Sequence, residues 1–144
     1  MGINTSPSTI RGRRERSLGY FGTQSVSPIR RAEIAPVLSA PGAGTPTTTG
    51  TTNAVVTTTG ISGTLFRAVV TNLGSCTTAQ LKAGTGGNIV ASSGGQQPID
   101  HPATIQTVAL IIGLTTGTLY QIKFLHTNSQ GIDSAQASID LTTA

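Results

Sequence analysis

The chain has 144 residues, of which 10% are charged and 3% aromatic, with one cysteine and no tryptophan. That length suits one domain, or one domain with a tail. Its apolar residues fall in short clusters, never near the ~20 in a row that a membrane-spanning helix needs. The net charge of +4 lies entirely in the first 33 residues: residues 1–40 hold six arginines against two glutamates, whereas Arg67, Lys82 and Lys123 balance Asp100, Asp133 and Asp140 in the rest.

Residues 1–41 read as an extended basic docking arm. Pro7, Pro28, Pro36 and Pro41 interrupt the segment, and each removes a donor and biases the preceding residue to extended geometry. Arg11 to Arg16 could make one helical turn after Ser8 or Thr9, but Gly12 weakens it. Alone, such a segment cannot bury enough apolar area to offset its chain entropy. It does alternate charge with anchors. Arg11, Arg13, Arg14 and Arg16 precede Tyr20 and Phe21, and Arg30 and Arg31 precede Ile34, Val37 and Leu38. Arginine forks pair with carboxylates or phosphates, and isolated apolar side chains fill pockets.

Three partners answer a basic arm. The acidic surface of a large protein assembly comes first. Nucleic acid is second, since Arg11-Gly12-Arg13-Arg14 could grip phosphates but four net charges are few. A membrane is third and least favoured: Met1 to Ser6 fits a myristoylation pattern followed by basic residues, but the match is short and has no meaning in a bacterial or phage setting. Asn4-Thr5-Ser6 fits a glycosylation acceptor, but no secretory signal is read at the N-terminus.

Residues 42–53, rich in Pro, Gly and Thr with no apolar anchor, predict a linker. Residues 54–144 predict an all-β domain. From residue 42 onward threonine alone supplies 22 residues, which suits strands and turns and disfavours helix. Strands are expected at 54–58, 64–71, 77–83, 104–112, 118–126 and 135–141, with Ile89-Val90 as a short seventh. The strand at 118–126 alternates cleanly: Tyr120, Ile122, Phe124 and His126 on one face, Leu119, Gln121, Lys123 and Leu125 on the other. Gly84 to Gly87 reads as a hairpin turn, because no Lys-Ser/Thr follows to make a phosphate loop.

Residues 113–124 carry a more specific signal. Leu114, a turn at Gly117-Thr118, Tyr120 six residues after the leucine, then Ile122 and Phe124 resemble the E–F corner and F strand of fibronectin type III domains. The segment 126–131 is similar to that family's Asn-containing F–G loop, and Thr64 to Gly74 to its B strands in bacterial and phage variants. The chain departs in lacking the family's core Trp and in placing Thr116 where Pro is common, which leaves another Ig-like topology open. The resemblance implies an immunoglobulin-like β-sandwich of about seven strands, with Leu114, Gly117, Tyr120, Ile122 and Phe124 defining the fold. A tyrosine there can bury its ring and bond its hydroxyl back to the corner.

Catalytic chemistry is not legible. His101 and His126 have no carboxylate or cysteine at ligand spacing, and no nucleophile elbow or carboxylate pair occurs. Cys76 reads as a small buried thiol. No enzyme activity, catalytic residue, cofactor or metal is expected. The resemblance, since such modules are common on phage particles, points to a virion structural protein of a tailed bacteriophage. It would be assembled in the host cytoplasm, present in many copies, and docked on the major capsid or another virion protein by its arm. Head decoration or cement comes first, and a tail, neck or fibre-attachment part is the alternative. Further alternatives are a small coat protein whose arm meets packaged nucleic acid, a lipidated adaptor, and a secreted adhesin, which the scarcity of aromatics disfavours.

Overall fold

A computed structural model describes residues 34–99, 104–109 and 111–144. These form a mostly-β unit with nine strands in three antiparallel sheets and one short helix among the described residues. Strands β1 (Leu38–Gly42), β4 (Ala54–Thr58) and β7 (Ile105–Val108) make the first sheet, in the order β1-β4-β7. Strands β2 (Thr45–Thr47) and β3 (Gly50–Thr52) form a separate hairpin. Strands β5 (Thr64–Thr71), β6 (Gly95–Pro98), β8 (Leu119–Thr127) and β9 (Ala137–Thr142) make the larger sheet, in the order β6-β5-β8-β9.

Alternation places the core. One cluster draws Ala54 and Val56 from β4, Leu65 and Val69 from β5, Val108 from β7, Tyr120, Ile122 and Phe124 from β8, and Leu141 from β9. Both larger sheets therefore contribute one face to the same buried interior. The opposite face of β5 and β8 is not left bare. Ala68 and Leu125 on that face pack against Leu81 of α1 (Thr78–Ala83).

That helix replaces the strand expected at 77–83. Thr77 Oγ1 accepts from Gln80 N at 3.1 Å while Gln80 Oε1 accepts from Thr77 N at 2.8 Å, a reciprocal box that satisfies two otherwise orphaned donors. Gly84, at φ 69°, closes the last turn by donating to the carbonyls of Gln80 and Leu81. Gly84 is thus a helix cap and not the start of a hairpin turn. Beta propensity lost here to capping and to an apolar face that needed covering.

The arm and linker boundaries also shift. Residues 38–42, expected at the junction of arm and linker, form β1, with Leu38 opposite Thr58 and its side chain packed on the core cluster. The stretch expected as a linker holds the β2–β3 hairpin, where buried Thr51 donates its hydroxyl to the carbonyls of Ala43 and Thr45. Hydroxyls bonding back to the chain do there what apolar anchors do elsewhere. The strand expected at 104–112 is shorter, ending at Val108, with Ile111 forming a separate bridge to Thr51.

A chain starting at Gly44 lacks β1, while one starting at Ile34 keeps it. The first should lose about 2–4 kcal/mol relative to the second in urea unfolding, the scale of one packed Leu and a paired edge strand. Equal midpoints would mean that β1 is dispensable to the fold.

Candidate docking surface

Strand directions gather one set of termini at one end of the domain. β1 starts opposite the end of β4, β5 starts opposite Thr127 at the end of β8 and opposite Pro98 at the end of β6, and β7 starts opposite Thr57. The β4–β5 loop (59–63), the β8–β9 loop (128–136) and the segment 34–37 therefore share this end. The β2–β3 hairpin, the turn at Thr116-Gly117 and Ala144 occupy the opposite end, where Ala144 N donates to Thr47 O at 3.0 Å.

The loop end is held by a buried imidazole. His126 is fully buried, and its Nε2 faces the Ser62 carbonyl at 2.8 Å. A carbonyl can only accept, so the network assigns the proton to Nε2. Nδ1 then accepts from the Thr58 hydroxyl at 2.6 Å, and that hydroxyl oxygen accepts from Gly60 N at 3.1 Å. Gly60 lies flat against the imidazole, so close that any Cβ would collide with the ring. Gly63, at φ 115°, faces the Thr127 carbonyl where a side chain would equally clash.

The neighbouring loop is ordered by its own side chains. Asn128 Oδ1 accepts from Gln130 N at 3.0 Å and Ile132 N at 2.9 Å, an Asx turn that leaves Ser129, Gln130 and Gly131 at the exposed tip. Ser62 and Ser129 bond at 3.1 Å, joining the two loops. Asp133 bonds Lys82 Nζ at 2.7 Å and accepts from the Thr127 hydroxyl at 2.6 Å, tying the second loop to α1. Partial burial opposes charge on the Asp133 carboxyl. The Lys82 and Thr127 hydrogen bonds and the lysine charge outweigh it, holding the carboxyl below its ordinary value.

The arm anchors divide. Arg11, Arg13, Arg14, Arg16, Tyr20, Phe21, Arg30 and Arg31 lie outside the described residues, as do Asp100 and His101. Ile34 and Val37 are exposed. Val37 is already stitched to the sheet, its N donating to Thr59 Oγ1 and its carbonyl accepting from Thr59 N, both at 3.0 Å. Leu38, expected as a partner-binding anchor, packs inward instead, because its position in β1 faces the core. The fold-defining residues Leu114, Tyr120, Ile122 and Phe124 are all buried, and Tyr120 Oη accepts from Thr115 N at 2.9 Å. Gly117 sits in its turn at φ 66° with open space where a side chain would be.

Sequence reading missed Ile61 and the Thr58–His126–Ser62 network. A lone isoleucine between Gly60 and Ser62 was the only signal for the first. Nothing local pairs the three residues of the second, which meet through β4 and β8 of different sheets.

Two cationic or reactive groups lie away from this end. Arg67 runs along the inner face of β5 with its guanidinium against Gly95, and burial lowers its pKa. Half-buried Cys76 packs beside the α1 cluster, where burial raises the thiol against the opposing effect of Lys123. No three His, Cys, Asp or Glu side chains gather at metal-binding distance among the described residues, and no helix among them is long and apolar enough to cross a membrane. No protein-family model matches this chain, and neither a curated protein nor a solved structure matches it.

Replacing His126 with leucine strips partners from the Ser62 carbonyl and the Thr58 hydroxyl. Urea unfolding should show a loss of about 1–3 kcal/mol, the cost of leaving buried polar groups unpaired; a change of a few tenths would mean water replaces the imidazole.

Asp133 gives a pH signature. Its folded pKa is depressed, so the unfolded chain binds more protons through the acid range, and the carboxylate's contribution is present above the unfolded value and lost as pH falls through the folded one. Asp133→Asn should flatten the fall in melting temperature between about pH 5 and pH 2. An unchanged acid limb would show that the Lys82 pair contributes nothing.

Proposed function

We propose that this chain is a non-enzymatic structural protein of a virion, fixed to a larger protein assembly by the residues before β1 and carrying a neutral β domain. Decoration of a phage head is the assignment we favour, and a tail or neck part is its alternative. The observation that carries the docking reading is the division of charge. Six of the nine cationic side chains precede residue 32, and residues 41–144 balance to zero. A basic segment seeks acidic surface, and a neutral Thr/Ser/Gly domain has little non-specific attraction for charged ones.

We further propose that the β domain is an immunoglobulin-like sandwich of the fibronectin type III kind. Its strand order supports this. Leaving the β2–β3 hairpin aside as an insertion, β1, β4 and β7 stand as strands A, B and E, and β6, β5, β8 and β9 as C′, C, F and G. In this reading β5 takes the C position, although its sequence resembles B strands. Tyr120, at the start of F and bonded back to Thr115 five residues upstream, fits the tyrosine corner.

The test uses phage particles that co-purify with the protein, stripped of it by high salt. The full chain should rebind, with affinity falling as salt rises, and a chain starting at Ile34 should lose at least tenfold in affinity, since several charge-assisted contacts go at once. Rebinding by the shortened chain as tight as by the full one would refute the docking role. Copy number near that of the major shell subunit would assign decoration, and a few copies per particle the tail. Preferential binding of the full chain to free nucleic acid would instead assign the coat-protein reading.

A further inference from the structure

We infer that the loop end of the β domain is itself a docking surface, with Ile34 and Ile61 seated on the same acidic partner protein that the arm grips. The inference rests on the docking reading above and adds an orientation: the domain stands on its partner by the loop end and holds the β2–β3 hairpin and Ala144 away from it.

Position is the first argument. The arm joins the described fold at Ile34, and only Ala35 and Pro36 separate that residue from Val37, which Thr59 already holds. A partner gripped by residues just before 34 therefore lies beside the 59–63 loop. Surface chemistry is the second. Ile34 is 76% exposed, Ile61 68% and Val37 56%, and Ile105, at the start of β7 toward the same end, is 63% exposed. Leu73, Ile112 and Leu119, toward the other end, are less exposed at 45%, 51% and 40%. Isoleucines held in water at the root of a binding arm are anchors awaiting a pocket.

Preorganisation is the third. His126 fixes the 59–63 loop, Asn128 fixes the neighbouring one, and the Ser62–Ser129 bond joins them, so binding orders little that is not ordered already. Charge is the fourth. The described residues of segments 34–37, 59–63 and 128–136 include no lysine or arginine, and their one carboxylate, Asp133, is engaged by Lys82 of α1 and by Thr127. Among the described residues of this end, the Asp133 carboxylate is therefore already paired and is not free to repel an acidic partner. Its contribution is apolar and insensitive to salt, whereas the arm's is ionic and sensitive to it.

That difference separates the two surfaces by experiment. The probe is the stripped particle described above, titrated with the full chain, with Ile34→Ser/Ile61→Ser, and with Leu119→Ser as a control at the opposite end. All three should share one melting temperature, because the replaced side chains are exposed. The double variant should bind about tenfold more weakly with an unchanged slope of affinity against salt, and Leu119→Ser should bind as the parent does. Parental affinity in the double variant overturns the loop-end surface while leaving the arm reading intact. Equal weakening by Leu119→Ser overturns the orientation. Failure of the full chain itself to bind the particle removes the docking reading and this inference with it.

Discussion

Eight consecutive residue pairs join β5 to β8, from Thr64 opposite Thr127 to Thr71 opposite Tyr120. Each face of this ribbon has a different task. Leu65, Val69, Ile122 and Phe124 point into the main core, and Ala68 and Leu125 point to the face that α1 covers. A slip of one residue would exchange the two faces and place Lys123 and Gln121 in the interior. The same register sets both ends of the domain. It puts Tyr120 at the corner, where it meets Thr115, and His126 beside the β4–β5 loop, where it meets Ser62. Corner, core and loop end thus depend on one alignment.

The legible part of this fold was the part that alternates. From Leu119 to Thr127 the sequence changes character at every second residue, and the burial follows it, with Leu125 as the extra buried position under α1. The helix was read as a strand, because the β propensity of threonine was weighed above the signals at its ends: Thr77-Thr78-Ala79-Gln80 is a capping box and Gly84 a stop. Residues 38–53 were not legible as structure, because their order comes from backbone pairing and from hydroxyls that bond the chain itself. Pro41 and Pro46 sit in short or edge strands, where a missing donor costs least.

The candidate surface was legible only up to residue 34. Composition located the charge, but no sequence rule says at which end of a β domain an N-terminal segment emerges. That follows from the antiparallel pairing of β1 with β4, and with it comes the neighbourhood of Ile61 and the Asn128 turn. Leu38 illustrates the limit. As a residue among other spaced apolar side chains it resembled an anchor, and one strand register turned it into core.

The polar interior and the neutral exterior have a common consequence. Thr51, Thr58, Ser93, His126, Ser134 and Thr143 are buried, and each is hydrogen-bonded, whereas Arg67 on the inner face of β5 keeps a buried Nε without a hydrogen-bond partner. The described aspartates are not spare: Asp133 is held by Lys82, and Asp140 accepts from Gln121 at 2.9 Å. A domain bearing a free acidic face would compete with any partner for the arginines tethered to it, at the high effective concentration that tethering gives. With the described aspartates already paired, that competition is weak, which is what the docking proposal requires of the domain.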